Sequence, residues 1–394
     1  MNIIIYRYNS ICEPDYIDAF RKVGIEVIED KDGMDGSIDI DSRLTKLGNM
    51  IAEYKPVFIF SINYFPFLSI LCDRLHILYV AVSVDCPVFE IFHNSIKNSF
   101  NRLFLFDRRQ YLSICNENPS CIFHLPLGAP CERNKLLLGE NYNPEYDISF
   151  VGSLYKEKDP FLDLKLPKEF RTKIENMINK QILLSCHGFD ELVSKLTDED
   201  IKTVREAADK FLPSDECVMN MDKYVVINDY IAPHMAYLER VKIINELADS
   251  FGEKKVHLFT RSDTSDISEK VALHDGVKSL TEMPFVFRNS KINLNISLRS
   301  IQTGLPQRIW DILSCRGFLI TNDQEEIFDF FEAGVHLETY SSLEELKDKI
   351  RYYLDHNEDR EEIANKGYEE ACERHTTMLR VIEIIKTCLS TMEQ

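Results

Sequence analysis

The residue types that could do chemistry are densest between Ser290 and Thr321. An apolar run ending near Asn295 is followed by a polar loop, then by Thr303-Gly304-Leu305-Pro306 and a helical pattern. Proline is favoured in a first helical turn, and glycine allows another group to approach the backbone closely. Leu305 and Pro306 complete an entry whose free N–H groups, at the positive end of a helix dipole, would suit a diphosphate. Arg308 and Asp311 are three apart and so share one face of that helix. An acid there can accept both hydroxyls of a ribose, while the arginine holds phosphate or orders the site. A surface salt bridge at a helix start would use the same two residues.

Other candidates lie at the ends of apolar runs. Arg261 follows Lys255–Phe259 and could meet a diphosphate or stand exposed in a loop. Gly152-Ser153 ends Asp147–Val151 and reads as a ligand-side turn or a plain strand-ending one. Lys156 could add charge to phosphates. Asp85, at the end of His76–Val82, could contact an acceptor or act as a base, or could cap the helix expected over Phe89–Phe100. Within that helix His93 is expected to be packed or solvated. Cys86 is a tempting nucleophile without an assignable basic partner, and Trp310 reads as a core anchor.

These residues need a scaffold. Asn2–Arg7, Ile25–Ile28, Val57–Ser61, His76–Val82, Arg102–Phe106 and Cys121–His124 are strand-like runs separated by helical stretches such as Pro14–Val23. Strands apolar on both faces and alternating with helices imply a parallel sheet covered on both sides. Such a doubly wound domain places ligands beyond the carboxyl ends of its strands. A polar connection from Leu125 to Pro144 precedes a second series: Asp147–Val151, Lys255–Phe259, Lys291–Ile296 and Phe318–Thr321. Between them, about residues 155–235 are rich in Lys, Glu, Asp and Leu at helical spacing and read as a helical insertion. Tyr224–Ile227 is an ambiguous strand within it. The expected boundaries are 1–142 and 143–375, with a last helix over 376–394. Two such domains would face a cleft of the kind that binds nucleotides and small molecules.

Composition removes other functions. The chain has 394 residues, 46 Lys plus Arg against 65 Asp plus Glu, and a formal charge of −19. That field repels nucleic acid and anionic lipid. Val57–Val84 is broken by Asn63, Pro66, Asp73 and Arg74, so no transmembrane helix is expected. The start lacks signal-peptide features, and the 11 dispersed cysteines suggest reduced thiols in a cytoplasmic protein. GxxxxGK[ST], GxGxxG after the first strand, GxSxG and HExxH are absent, which argues against P-loop, NAD-type, hydrolase and metalloprotease chemistry.

The Thr303–Asp311 run resembles the nucleotide-sugar region of GT-B glycosyltransferases, particularly the CgeB-like group with its G-L-P-x-R-x-x-(E/D) pattern. The resemblance extends over about residues 147–375 and includes Asp147–Ser153. Val82–Pro87 and Leu125–Leu127 are similar to the accompanying amino-terminal domain. The resemblance implies two Rossmann-like domains facing a cleft, the last helix over 376–394 crossing back onto the first domain, and transfer of a hexose or N-acetylhexosamine from a nucleotide sugar, UDP-linked, to a protein or glycan acceptor. Gly152, Ser153, Arg261, Thr303, Gly304, Leu305, Pro306, Arg308 and Asp311 would then hold the donor, with Asp85 and Arg261 catalytic. Related retaining enzymes carry an acid at the position of Thr303, a departure here. The family implies neither metal nor cofactor, because helix dipole and arginines neutralise the leaving group. A non-catalytic two-domain nucleotide- or sugar-binding protein is the alternative, and a sugar epimerase would need a His/Glu apparatus that is not found.

Overall fold

The computed structural model describes residues 1–139, 143–184 and 188–392. Six strands form the first sheet: β1 Asn2–Tyr6, β2 Glu26–Asp30, β3 Phe58–Ile62, β4 Leu78–Val82, β5 Asn101–Leu105 and β6 Ile122–His124. All are parallel, in the order β2-β1-β3-β4-β5-β6. Strands β3, β4 and β5 are buried along their whole length, as expected of a sheet covered on both faces.

The second sheet contains β7 Tyr146–Val151, β8 Val256–Thr260, β9 Ala272–Asp275, β10 Ser290–Asn295, β11 Leu319–Asn322 and β12 Glu338–Tyr340. Its order is β12-β11-β10-β7-β8-β9, again all parallel. This is the Rossmann order, with the chain reversing direction between β7 and β10. In the first sheet the reversal lies between β1 and β3. The crevices outside the carboxyl ends of the strands at these two points are where ligands bind in such sheets.

Several expectations required correction. The helix expected at Phe89–Phe100 is replaced by two short 3₁₀ turns, Glu90–Phe92 and Asn94–Lys97, because the segment pairs with the insertion. Asn94 N–H donates to Glu216 O at 2.7 Å, and Val218 N–H to Phe92 O at 2.8 Å. Tyr224–Ile227 is helical, in a run that widens into a π-type turn at Val226–Ile231 before helix Ala232–Phe251. Pro233 has no N–H to continue the regular ladder there. Strands β9 and β12 escaped detection; both are short edge strands of three or four residues. The Leu125–Pro144 connection contains helix Cys131–Leu138.

The insertion packs on the first domain. One continuous core joins Ile4, Ile59, Ile91 and Phe92 to Ile174, Leu192 and Val225. Helix Thr377–Met392 contributes Val381, Ile384 and Cys388 to the opposite face of the first sheet. At the crossings between domains, Ala129 N–H donates to His375 O at 2.8 Å and Thr377 N–H to Ala129 O at 3.1 Å. Cys131 and Cys372 are joined beside them, with Cα atoms 5.6 Å apart. That pair overturns the expectation of uniformly reduced thiols; a separation of 241 residues carries no spacing signal. No described helix is long and apolar enough to cross a membrane.

Candidate functional site

At the reversal point of the second sheet, β7 runs into Gly152–Leu154 and β10 into Ile296–Ser300. One side chain holds both loops. Arg240, on helix Ala232–Phe251 and only 8% exposed, donates through Nη1 to Ser153 O and through Nη2 to Ile296 O, each at 2.6 Å. Its guanidinium lies over the rings of Tyr155 and Phe150 at 4.7 and 5.4 Å. Next to it, buried Glu239 accepts from Arg299 Nε at 2.9 Å and fixes the same β10 loop to the same helix. Two adjacent charged residues within a largely apolar helix were the available sequence signal.

Gly152 N–H donates to Phe259 O at 3.1 Å and so extends the β7–β8 ladder. Ser153 Oγ donates to Glu157 Oε1 at 2.7 Å and accepts from Tyr155 N–H at 2.8 Å. Burial pushes the Glu157 carboxyl up, but the hydrogen bonds from Ser153 and Ser262 more than offset it and leave the pKa below its ordinary value. Lys156 is ion-paired with Asp263 and Asp266, both at 2.8 Å. Its charge is already compensated, contrary to the phosphate role considered for it.

The loop before helix Gln307–Leu313 holds a different anion from the one expected. The N–H groups of Gln302, Thr303 and Gly304 donate to Asp107 Oδ2 at 2.8, 2.9 and 3.0 Å. Asp107 follows β5 in the first domain and also accepts from Gln110 N–H through Oδ1 at 2.8 Å. The expected free amides are therefore closed by a carboxylate of the facing domain. Gly304 is required by that approach, since a Cβ there would lie 2.8 Å from Asp107 Cα and Phe106 O. Leu305 is 2% exposed and Pro306 caps the helix in extended conformation.

Thr303 is buried; its Oγ1 accepts from Arg109 N–H at 3.2 Å and its carbonyl from Glu326 N–H at 3.0 Å. Glu326 is fully buried against His124 Nε2 at 2.8 Å and accepts from Arg108 N–H at 2.8 Å. An acid thus stands beside the position where the expected acid is missing. It is Glu326, 23 residues away, which no local motif could reveal.

Asp311 is 6% exposed and accepts from Gln307 Nε2 at 3.2 Å, with Arg308 Nη1 at 3.5 Å. Burial raises its pKa. The Arg308 guanidinium donates to Met283 Sδ and covers the Phe287 ring at 5.2 Å. The space at Asp311, shared with Cys12, Asp15 and Arg133 of the facing side, is about 20 Å³. That volume suits a water rather than a ribose.

Arg261 is exposed beyond β8, with its stem across Gly276 and no carboxylate within 4 Å among the described residues. Across the cleft, Asp85 is exposed and accepts from Asn63 Nδ2 at 2.7 Å. Asn63, at φ +56°, also donates to Tyr8 OH at 2.9 Å and accepts from Val84 N–H at 3.0 Å. Asp85 therefore follows β4, is tied through Asn63 to the loops after β3 and β1 where the first sheet reverses, and caps no helix. Cys86 is buried, which pushes its thiol well up and removes it as a ready thiolate. It exchanges hydrogen bonds with Ser300 of the opposite domain: Sγ to Ser300 O at 3.4 Å, and Ser300 Oγ to Cys86 O at 3.2 Å. His93 caps the Asn94 turn, and Trp310 is fully buried. Among the described residues, no group of three or more His, Cys, Asp and Glu is arranged to hold a metal.

The glycosyl transferase-like family matches residues 240–386, from Arg240 through the Arg308–Asp311 helix to the last crossing. No curated protein matches the chain. Solved structures are similar over its full length. A glycosyltransferase from Rickettsia africae has TM-score 0.57 and 9% identity, covering 100% of this chain and 99% of its own. Sucrose-phosphate synthase from Thermosynechococcus elongatus has 0.55 and 8%, covering 100% and 99%. The Anabaena protein HepE, in complex with UDP and glucose, has 0.53 and 10%, covering 99% and 100%. The fold is GT-B: two Rossmann-like domains facing a cleft.

Proposed function

We propose that the chain is a glycosyltransferase that moves a hexose or N-acetylhexosamine from a UDP-linked donor to a protein or cell-surface acceptor, in the cytoplasm and without a metal. The observation that carries this reading is the facing of the carboxyl ends of the two sheets, with Asp85 tied through Asn63 to one reversal point and Arg240 bracing both loops of the other. The UDP assignment draws support from the similar fold of HepE, which is in complex with UDP and glucose.

In this reading the water-sized space at Asp311 widens when the domains part, Asp311 then accepts the ribose hydroxyls, and Arg308 orders it. Arg261 meets the β-phosphate, where negative charge grows as the bond to the sugar breaks. The Gln302–Gly304 amides exchange the Asp107 carboxylate for the donor diphosphate when the domains part, while Gly152, Ser153, Leu305 and Pro306 shape the donor wall. Asp85, exposed on the acceptor side, contacts the acceptor hydroxyl or takes its proton. Thr303 carries no charge, and Glu326, whose N–H donates to the Thr303 carbonyl, supplies an acid beside it.

Incubation with UDP-sugars tests the reading directly. UDP release is expected, undiminished by EDTA. Thermal stabilisation by a UDP-sugar, about 2.7 kcal/mol at 100 times its dissociation constant, without UDP release would support the binding-protein alternative. Loss of turnover on chelation, restored by Mn²⁺ or Mg²⁺, would remove metal independence.

A further inference from the structure

A second concentration of positive charge lies at the other end of the second sheet, away from the cleft. Arg288, Ser290, Lys291, Arg316, Arg360 and Glu361 line a cavity of about 250 Å³ at the amino ends of β10 and β11. A neighbouring cavity of about 290 Å³ shares Arg288 and Arg316 and adds Lys135. In a chain of charge −19, this local excess of cations runs against the overall field.

Arg360 is the decisive residue. It is 2% exposed, on helix Asn357–Arg374, and donates through Nη1 to Tyr353 O at 2.7 Å. No carboxylate lies within 4 Å of it among the described residues. A buried guanidinium without a counter-charge is costly unless an anion completes it. Arg316, held at φ +54° and stacked on Tyr368 at 4.4 Å, also lacks a carboxylate within 4 Å among the described residues. Lys291 is already paired with Asp147 at 2.6 Å, so it contributes field rather than a free charge. Glu361 is the one acid in the lining.

From this we infer that the rear cavity binds a phosphate-bearing small molecule, with Arg360 and Arg316 as its principal ligands. Guanidinium forks match phosphate oxygens in paired hydrogen bonds, and several converging cations favour a multiply charged anion over a monocarboxylate. The site is separate from the proposed donor cleft and stands whether or not the chain transfers a sugar.

Titration of the full chain with inorganic pyrophosphate by calorimetry tests it. Saturable binding is expected in the wild type, weakened at least tenfold in Arg360→Met and in Arg316→Asn. Asparagine tolerates the left-handed backbone at 316 and the residue is exposed, so that variant decides the matter if Arg360→Met fails to fold. Asp311→Ala should leave pyrophosphate binding at this site intact. Absence of pyrophosphate binding in the wild type, or wild-type affinity in the arginine variants, would overturn the assignment.

Discussion

The two ends of the second sheet handle negative charge in opposite ways. At the carboxyl end, three consecutive amides, Gln302 to Gly304, are closed by Asp107 of the first domain. At the amino end, Arg360 and Arg316 face a cavity with no carboxylate within 4 Å among the described residues. The first arrangement is complete without a ligand and can accept one only by releasing its own carboxylate. The second needs no domain movement to receive an anion. An anion-holding element therefore reports ligand binding only after the chain's own acids have been accounted for.

The largest expected effect is on turnover at the cleft. Arg261→Ala should lower kcat by about 10²–10³, equivalent to about 2.7–4 kcal/mol, with a smaller rise in donor KM and an unchanged melting temperature. Steady-state kinetics would check this, and wild-type kcat would remove Arg261 from the leaving-group role. Arg308→Ala should instead raise KM and lower stability together, because its guanidinium packs on Phe287 and Met283.

Next is the crossing between the domains. Burial, then the neighbouring Arg380, depresses the His375 pKa from 6.5 to about 4. Between those values the unfolded chain binds more protons than the folded one, so stability falls as pH drops from 6.5 towards 4. The loss should be on the order of 3 kcal/mol. Urea unfolding across that range should show it, and His375→Gln should flatten that part of the profile.

Asp107→Ala should cost about 2–3 kcal/mol, since it leaves buried amides without their charged acceptor. If the amides exchange Asp107 for a diphosphate, the same variant should bind UDP more tightly than wild type. Weaker UDP binding in a folded Asp107→Ala protein would make the loop purely structural and collapse the contrast with the rear cavity.

The smallest effect is at Asp311. Asp311→Ala should weaken UDP binding about tenfold, or about 1.4 kcal/mol, by calorimetry. Because burial raises the Asp311 pKa, UDP affinity should begin to fall on acidification above the usual aspartate range, as the ribose acceptor becomes protonated. The sign for stability is opposite to that of His375: this buried carboxylate costs more as pH rises through its folded pKa. Unchanged UDP affinity in the variant would remove the ribose role.

Most of the sheet framework was legible in the chain. Strands such as Phe58–Ile62 and Leu78–Val82 are short apolar runs between helical patterns, and burial on both faces writes itself into composition. The edge strands β9 and β12 were not legible, because three or four residues with one open side need no such run. The site was partly legible. Asp311 and Gly304 were marked by a local motif, but the motif did not reveal that Gly304 makes room for Asp107 rather than for a ligand.

By itself, the sequence determined two parallel α/β units, a helical insertion between strands of the second, and the short stretch that carries Arg308 and Asp311. These follow from residue spacing over one or two turns of chain, where neighbours in sequence are neighbours in space. Only the tertiary structure decided that the insertion packs on the first domain, that Cys131 meets Cys372, and that Arg360 is buried without a carboxylate. It also decided which anion fills the Gln302–Gly304 amides. Thr303 and Asp107 are 196 residues apart, and no periodicity reaches across such a distance. The partner of a buried polar group is chosen by which surfaces the two hydrophobic cores bring together, and local patterning leaves that choice open.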